Sequence, residues 1–92
     1  MANNTTTGNI SVTTAATEIL VASPDRKAAI LQNISNKDVY IGPTNAVTTS
    51  NSIFLGRGEK FSVGDFGERW NGSIFGIVDS GTADIRFWEW GQ

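Results

Sequence analysis

The sequence predicts an all-β fold, a single small β-sandwich or barrel with about eight short antiparallel strands. Two observations lead to this prediction. Short runs rich in Val, Ile, Thr and aromatic residues recur along the 92 residues, and Gly, Asn, Asp or Pro interrupt them. The interruptions fall about every ten residues, which is the spacing typical of sandwiches, and no long window carries a helical apolar stripe.

The elements follow in order from the N-terminus. Residues 1–9 are almost entirely Asn, Thr and Gly, so burial in their own domain cannot stabilise them, and we predict a flexible arm there. The folded domain is then expected to span residues 10–92. The predicted strands are Ile10–Thr13, Glu18–Ala22, Ala28–Ile34, Val39–Gly42, Ser52–Leu55, Lys60–Val63, Ser73–Val78 and Ala83–Trp90.

Turn chemistry supports these boundaries. The chain has two prolines, Pro24 and Pro43, and both lie between predicted strands. Proline at the second position of a turn fixes φ, and a following Asp such as Asp25 can bond to the local backbone. No predicted strand interior therefore loses a ladder hydrogen bond to proline.

Composition excludes several classes of function. The chain has no Cys and no His, which removes disulfides, thiolate and imidazole catalysis and nearly every zinc or copper site. Seven basic and nine acidic residues are spread along the chain, with a net charge of −2, so no nucleic-acid footprint is expected. No apolar stretch approaches the roughly 20 residues of a membrane span, and no signal sequence is apparent, which predicts synthesis in the cytoplasm.

The last strand raises the question of what covers its second face. Because side chains alternate along a strand, Ile85 and Phe87 are expected on the core side and Arg86, Trp88 and Trp90 on the other. A domain of this size buries little surface, so association would add burial, and Trp and Arg are enriched at interfaces. We predict that Arg86, Trp88 and Trp90 form a subunit interface. A glycan-stacking surface and packing under a loop of the same chain are the alternatives.

Two longer connections, residues 42–51 and 64–72, are less regular. The second contains Phe66, Arg69 and Trp70 among three glycines. Loops frequently carry binding residues, so these three are candidates for contact with a partner. The alternative is that Phe66 and Trp70 cap one end of the sandwich.

No pattern indicates an enzyme, a metal site or a cofactor. Gly56-Arg57-Gly58 precedes a strand rather than a helix, so it predicts a turn and not a phosphate loop. The acid pairs Asp65 with Glu68 and Asp79 with Asp84 could in principle serve a glycosidase, but a chain this short cannot build a substrate cleft around them. The calcium-loop spacing is missing as well.

Residues 10–63 together with the closing "GTADIRFWEW" resemble small virion proteins of tailed bacteriophages, the capsid decoration or cement proteins and related head-fibre base domains. The motifs that carry the resemblance are "DRK" at a turn, "ILQNIS" followed by "DVYIG", a Gly-Glu before the next strand, and "SGTADIR". The ending "RFWEWGQ" is more aromatic than the polar tail that is usual in these proteins.

The resemblance implies a compact jelly-roll-like β-sandwich, commonly a homotrimer, on the exterior of the capsid. Such a protein bridges neighbouring major capsid proteins and stabilises the shell without catalysis, because its binding free energy must be lost before the shell comes apart. The family has no catalytic residues to transfer. A carbohydrate-binding or host-adhesion module of a phage fibre is the alternative function.

Overall fold

The residues that the structure describes form eight antiparallel β-strands, as predicted. The structure is a computed structural model that describes residues 5–22, 26–64 and 72–90. The strands are β1 (Thr5–Val12), β2 (Thr17–Leu20), β3 (Ala28–Asn33), β4 (Val39–Gly42), β5 (Ile53–Leu55), β6 (Lys60–Gly64), β7 (Ile74–Ile77) and β8 (Ala83–Trp90). The described residues contain no helix.

The strands form two four-stranded sheets, in the orders β1-β8-β3-β6 and β2-β7-β4-β5. The antiparallel pairs are nested in sequence: β1 with β8 and β3 with β6 in the first sheet, β2 with β7 and β4 with β5 in the second. Eight strands that alternate in this way between two sheets form a jelly roll. The predicted all-β, jelly-roll-like sandwich is therefore confirmed.

The core lies between the two sheets and follows the period-two pattern of the strands. From the first sheet, Leu31 and Ile85 are at most 1% exposed, and from the second, Leu20 and Ile41 are at most 2% exposed. Fully burying one such aliphatic side chain contributes roughly 1.5 to 3 kcal/mol. Because every other residue of a strand points inward, the remaining residues form the two outer faces of the sandwich.

The N-terminal strand corrects one prediction. We expected residues 1–9 to be a flexible arm, but β1 begins at Thr5 and pairs with β8 without interruption up to Val12. Gly8 lies opposite Phe87, and the Phe87 ring covers the place where a side chain would be, 2.9 Å from an ideal Cβ. Backbone pairing with β8 therefore orders residues that have little apolar surface of their own. Residues 1–4 of the expected arm lie outside the described residues.

Arg26, just before β3, joins the two sheets at one end of the sandwich. Its side chain is fully buried, and its Nε atom donates to Glu89 Oε2 of β8 at 2.7 Å. It also donates to the backbone oxygens of Val21, just after β2, and Gly72, just before β7. A buried charge requires partners of this kind, since an unpaired one costs several kcal/mol.

Asn33, the last residue of β3, has the corresponding role at the other end. It is fully buried, and its Nδ2 atom donates to the backbone oxygens of Lys37 and Leu55. Its Oδ1 atom accepts from the backbone and the hydroxyl of Ser35. One amide thereby holds the β3–β4 connection against the end of β5.

Candidate functional site

The outer face of the first sheet carries the predicted interface residues. Inward Ala83 and Ile85 are buried, and Phe87 packs against the core, whereas Arg86 and Trp88 are exposed. The alternation predicted for the last strand is thus present. We call the outward residues Ile30, Arg86, Trp88 and Trp90 the β8 face.

The two tryptophans of the β8 face lie side by side. Their ring centroids are 5.0 Å apart and the rings are tilted by 45°. Trp88 is 49% exposed, which makes it one of the most exposed large apolar residues of the described chain, and Trp90 is half-buried. Trp88 lies between Thr7 of β1 and Ile30 of β3 in the strand register. A half-exposed indole at the centre of a regular sheet is an unusual use of a large apolar side chain and suits a contact surface.

Neutral polar residues and one cation border these rings. Arg86 lies between Asn9 and Gln32 in the register, and Thr7 and Asn9 are exposed on β1. The border therefore offers hydrogen-bond donors and acceptors as well as one positive charge. An aromatic centre with a polar rim is the usual composition of a protein interface.

The second sheet has an apolar outer face as well, which the sequence analysis did not identify. Tyr40 and Phe54 face each other across β4 and β5, with ring centroids 5.7 Å apart in an edge-to-face arrangement. Phe54 is 54% exposed, and Phe75 and Ile77 on β7 are half-buried. We call these four residues the β4 face. Strict alternation could have found it, because buried Val39 and Ile41 require Tyr40 to point outward.

An apolar groove opens along the side of the sandwich where β5 and β6 are the edge strands. It has a volume of about 460 Å³ and is lined by Ile41, Gly42, Pro43, Ile53, Phe61, Ser62, Val63 and Ile74. Ile53 is 57% exposed because its side chain lines this open groove. The core is therefore less well covered on this side than on the side where β1 and β2 meet.

The other predicted residues have separate outcomes. Phe66, Arg69 and Trp70, predicted to contact a partner, lie outside the described residues, as do Asp65 and Glu68. Gly56-Arg57-Gly58 forms a turn, as predicted: Gly58 has a φ of 77°, and the Gly56 N–H donates to Glu59 Oε1 at 2.6 Å.

Comparison with protein-family models, with curated proteins and with solved structures found no match. The described part of the chain has no helix long and apolar enough to cross a membrane. Within residues 5–22, 26–64 and 72–90, no group of three or more acidic side chains is arranged to hold a metal ion.

Proposed function

We propose that this chain is a structural virion protein that decorates a tailed-phage capsid from the outside. As a homotrimer it would bridge neighbouring major capsid proteins and stabilise the shell. Two lines of reasoning support the proposal: the resemblance of residues 10–63 and 81–90 to phage decoration proteins, and the apolar outer faces of the sandwich.

The observation that carries the proposal is the exposure of Trp88 beside Trp90. A tryptophan buries roughly 200 Å² when covered, so the 49% of Trp88 that is exposed corresponds to about 100 Å². Covering that area would contribute about 2.5 kcal/mol at roughly 25 cal/mol per Å². A neighbouring copy of the chain is the partner we propose for it.

The second apolar face gives the chain a surface for a different partner. The β8 face and the β4 face belong to opposite sheets, so one neighbour cannot easily cover both. A bridging protein needs two contact surfaces of this kind. We therefore assign the β8 face to contacts between copies and the β4 face to the shell protein.

The fold is compatible with the proposal and does not decide it. Jelly rolls occur in viral capsid proteins and in lectins, so analogy at the level of fold favours both of the candidate functions. The assignment has to come from the contact surfaces themselves.

Paired variants test the assignment of the two faces. Trp88→Ala/Trp90→Ala should dissociate the trimer in sedimentation velocity, because truncating a central aromatic anchor commonly costs about 2 kcal/mol or more, roughly thirtyfold in affinity. Phe54→Ala is the matched control on the other face. It should leave self-association unchanged and weaken binding to purified shells that lack this chain.

Two results would contradict the proposal. One is a wild-type protein that is monomeric at micromolar concentration. The other is a cryo-EM reconstruction of virions that shows the same surface density with the chain present and with it deleted.

A glycan-binding function remains the second candidate because polar groups surround the exposed indole. Thr7, Asn9 and Gln32 border the β8 face and could bond to sugar hydroxyls while Trp88 stacks on a ring. In that case the protein would not form a trimer, and an added oligosaccharide would change Trp fluorescence. The change would be lost in Trp88→Ala and kept in Phe54→Ala.

A further inference from the structure

The edge strands of the two sheets differ in how well they are protected against pairing with another chain. An edge strand exposes unpaired backbone N–H and C=O groups, and natural proteins block such edges with short strands, bulges, prolines or charged side chains, especially lysine. The four edges are β1 and β6 in the first sheet and β2 and β5 in the second.

Three of the four edges carry such protection. Strand β5 has only three residues. Strand β2 has four residues, contains Glu18, and its register with β7 shifts between Glu18 and Leu20. Strand β6 begins with the exposed Lys60.

The fourth edge, β1, has none of these features. It is eight residues long, "TTTGNISV", and it contains no charged residue and no proline. Its register with β8 is continuous from Thr5 opposite Trp90 to Val12 opposite Ala83, without a bulge. Its outward side chains Thr7, Asn9 and Ser11 are exposed and neutral.

We infer that β1 pairs antiparallel with β1 of a second copy of this chain, about a twofold axis, and joins the first sheets of two copies into one eight-stranded sheet. A second copy fits because an uncharged strand meets its own sequence without like-charge repulsion, and Thr–Thr and Thr–Ser hydrogen bonds are favourable across antiparallel strands. A pairing strand of eight residues is also longer than the mode of about five or six.

The dimer would be continuous with the β8 face. A twofold axis perpendicular to the sheet keeps both β8 faces on the same side. The two β8 strands would then be three strand spacings apart, about 14 Å. The twofold pairing uses the edge of the sheet, whereas the proposed trimer uses its face, so the two contacts do not compete for the same atoms.

The geometry of antiparallel pairing gives a sharp test. Directly opposite residues must lie on the same face of the pleat, so outward residues of β1 can face only outward residues of the partner. In every such register with its twofold centre between Thr7 and Ser11, one of the positions 7, 9 and 11 lies directly opposite one of these same positions in the partner strand. Cβ atoms of directly opposite residues are about 4.5–5.5 Å apart, close to the Cβ–Cβ distance of a disulfide. Cβ atoms of diagonal neighbours are too far apart to form one.

The experiment uses the absence of cysteine from the sequence. We would make Thr7→Cys, Asn9→Cys and Ser11→Cys, oxidise each alone and in pairwise mixtures in a glutathione buffer, and measure covalent dimer on non-reducing gels. The matched control is Ser62→Cys, which is exposed on the same sheet face but on the opposite edge strand. Far-UV circular dichroism checks that each variant is folded.

We expect covalent dimer only in the combinations that a single register places directly opposite each other. If Asn9 lies opposite Asn9 of the partner, for example, both Asn9→Cys alone and the mixture of Thr7→Cys with Ser11→Cys should cross-link. The same dimer should form in the Trp88→Ala/Trp90→Ala background, so this result does not depend on the proposed trimer. Yields no higher than those of Ser62→Cys, or cross-links spread over incompatible registers, would overturn the inference. Loss of the dimer in the tryptophan variant would also overturn it, because the β8 face would then hold the copies together.

Discussion

Replacing Glu89 with Gln removes the negative charge that lies 2.7 Å from Arg26 and tests what this ion pair contributes to stability. The Arg26 side chain is fully buried and that of Glu89 is 12% exposed, with 2.7 Å between Nε and Oε2. Breaking a buried pair by removing one partner costs about 3–5 kcal/mol, because the remaining charge loses its opposite charge while it stays buried. We expect a value near 3 kcal/mol, since the Gln oxygen can still accept one hydrogen bond and the two backbone carbonyls still accept from Arg26.

That loss is large for this chain. A domain of this size is stable by roughly 5–14 kcal/mol, so about 3 kcal/mol is a fifth or more of the total. Since 1 kcal/mol shifts the midpoint of a small domain by about 4–8 °C, Tm should fall by roughly 12–24 °C. Urea unfolding followed by circular dichroism measures the free energy, and thermal unfolding measures Tm.

An exposed ion pair among the described residues supplies a matched control. Asp38 and Arg57 are 3.7 Å apart, and their side chains are 37% and 65% exposed. An exposed pair contributes at most about 1 kcal/mol, so Asp38→Asn should change stability little. If Glu89→Gln costs no more than Asp38→Asn, the argument that Arg26 depends on Glu89 inside the sandwich is refuted.

Three further predictions concern other parts of the fold. Asn33→Ala should cost about 2–4 kcal/mol in urea unfolding, because the buried backbone carbonyl of Leu55 and the partly buried one of Lys37 lose their donor. Gly8→Ala should cost about 2–3 kcal/mol, because its Cβ would lie 2.9 Å from the Phe87 ring. Gly58→Ala meets no atom within 4 Å and should cost only about 1 kcal/mol, through its positive φ. Equal losses for the two glycines would contradict this reading. Deleting residues 1–9 should lower Tm, because it removes more than half of β1, and an unchanged Tm would show that β1 does not stabilise the sheet.

Much of the fold could be predicted because its signals are local. The bounds of β4 and β8 are as predicted. Strands β3, β5 and β6 differ from their predicted bounds by one residue at one end, and β7 differs by one residue at each end. The division of β8 into a core side and an outward side was also correct, since it depends only on the period-two geometry of a strand. The candidate site was predicted in part for the same reason: Arg86, Trp88 and Trp90 could be assigned to one face without knowledge of the neighbouring strands.

The sequence by itself determined the all-β class, the outward tryptophans and the absence of thiol and imidazole chemistry, because composition and alternation act within a single strand. The tertiary structure alone decided that residues 5–9 belong to a strand, since their backbone pairs with β8, some eighty residues away in sequence. It also decided that Arg26 meets Glu89 at one end of the first sheet, and that Tyr40, Phe54 and Phe75 share a face. Contacts of this kind join residues that are far apart in the chain, and their free energy exists only after the two sheets have come together.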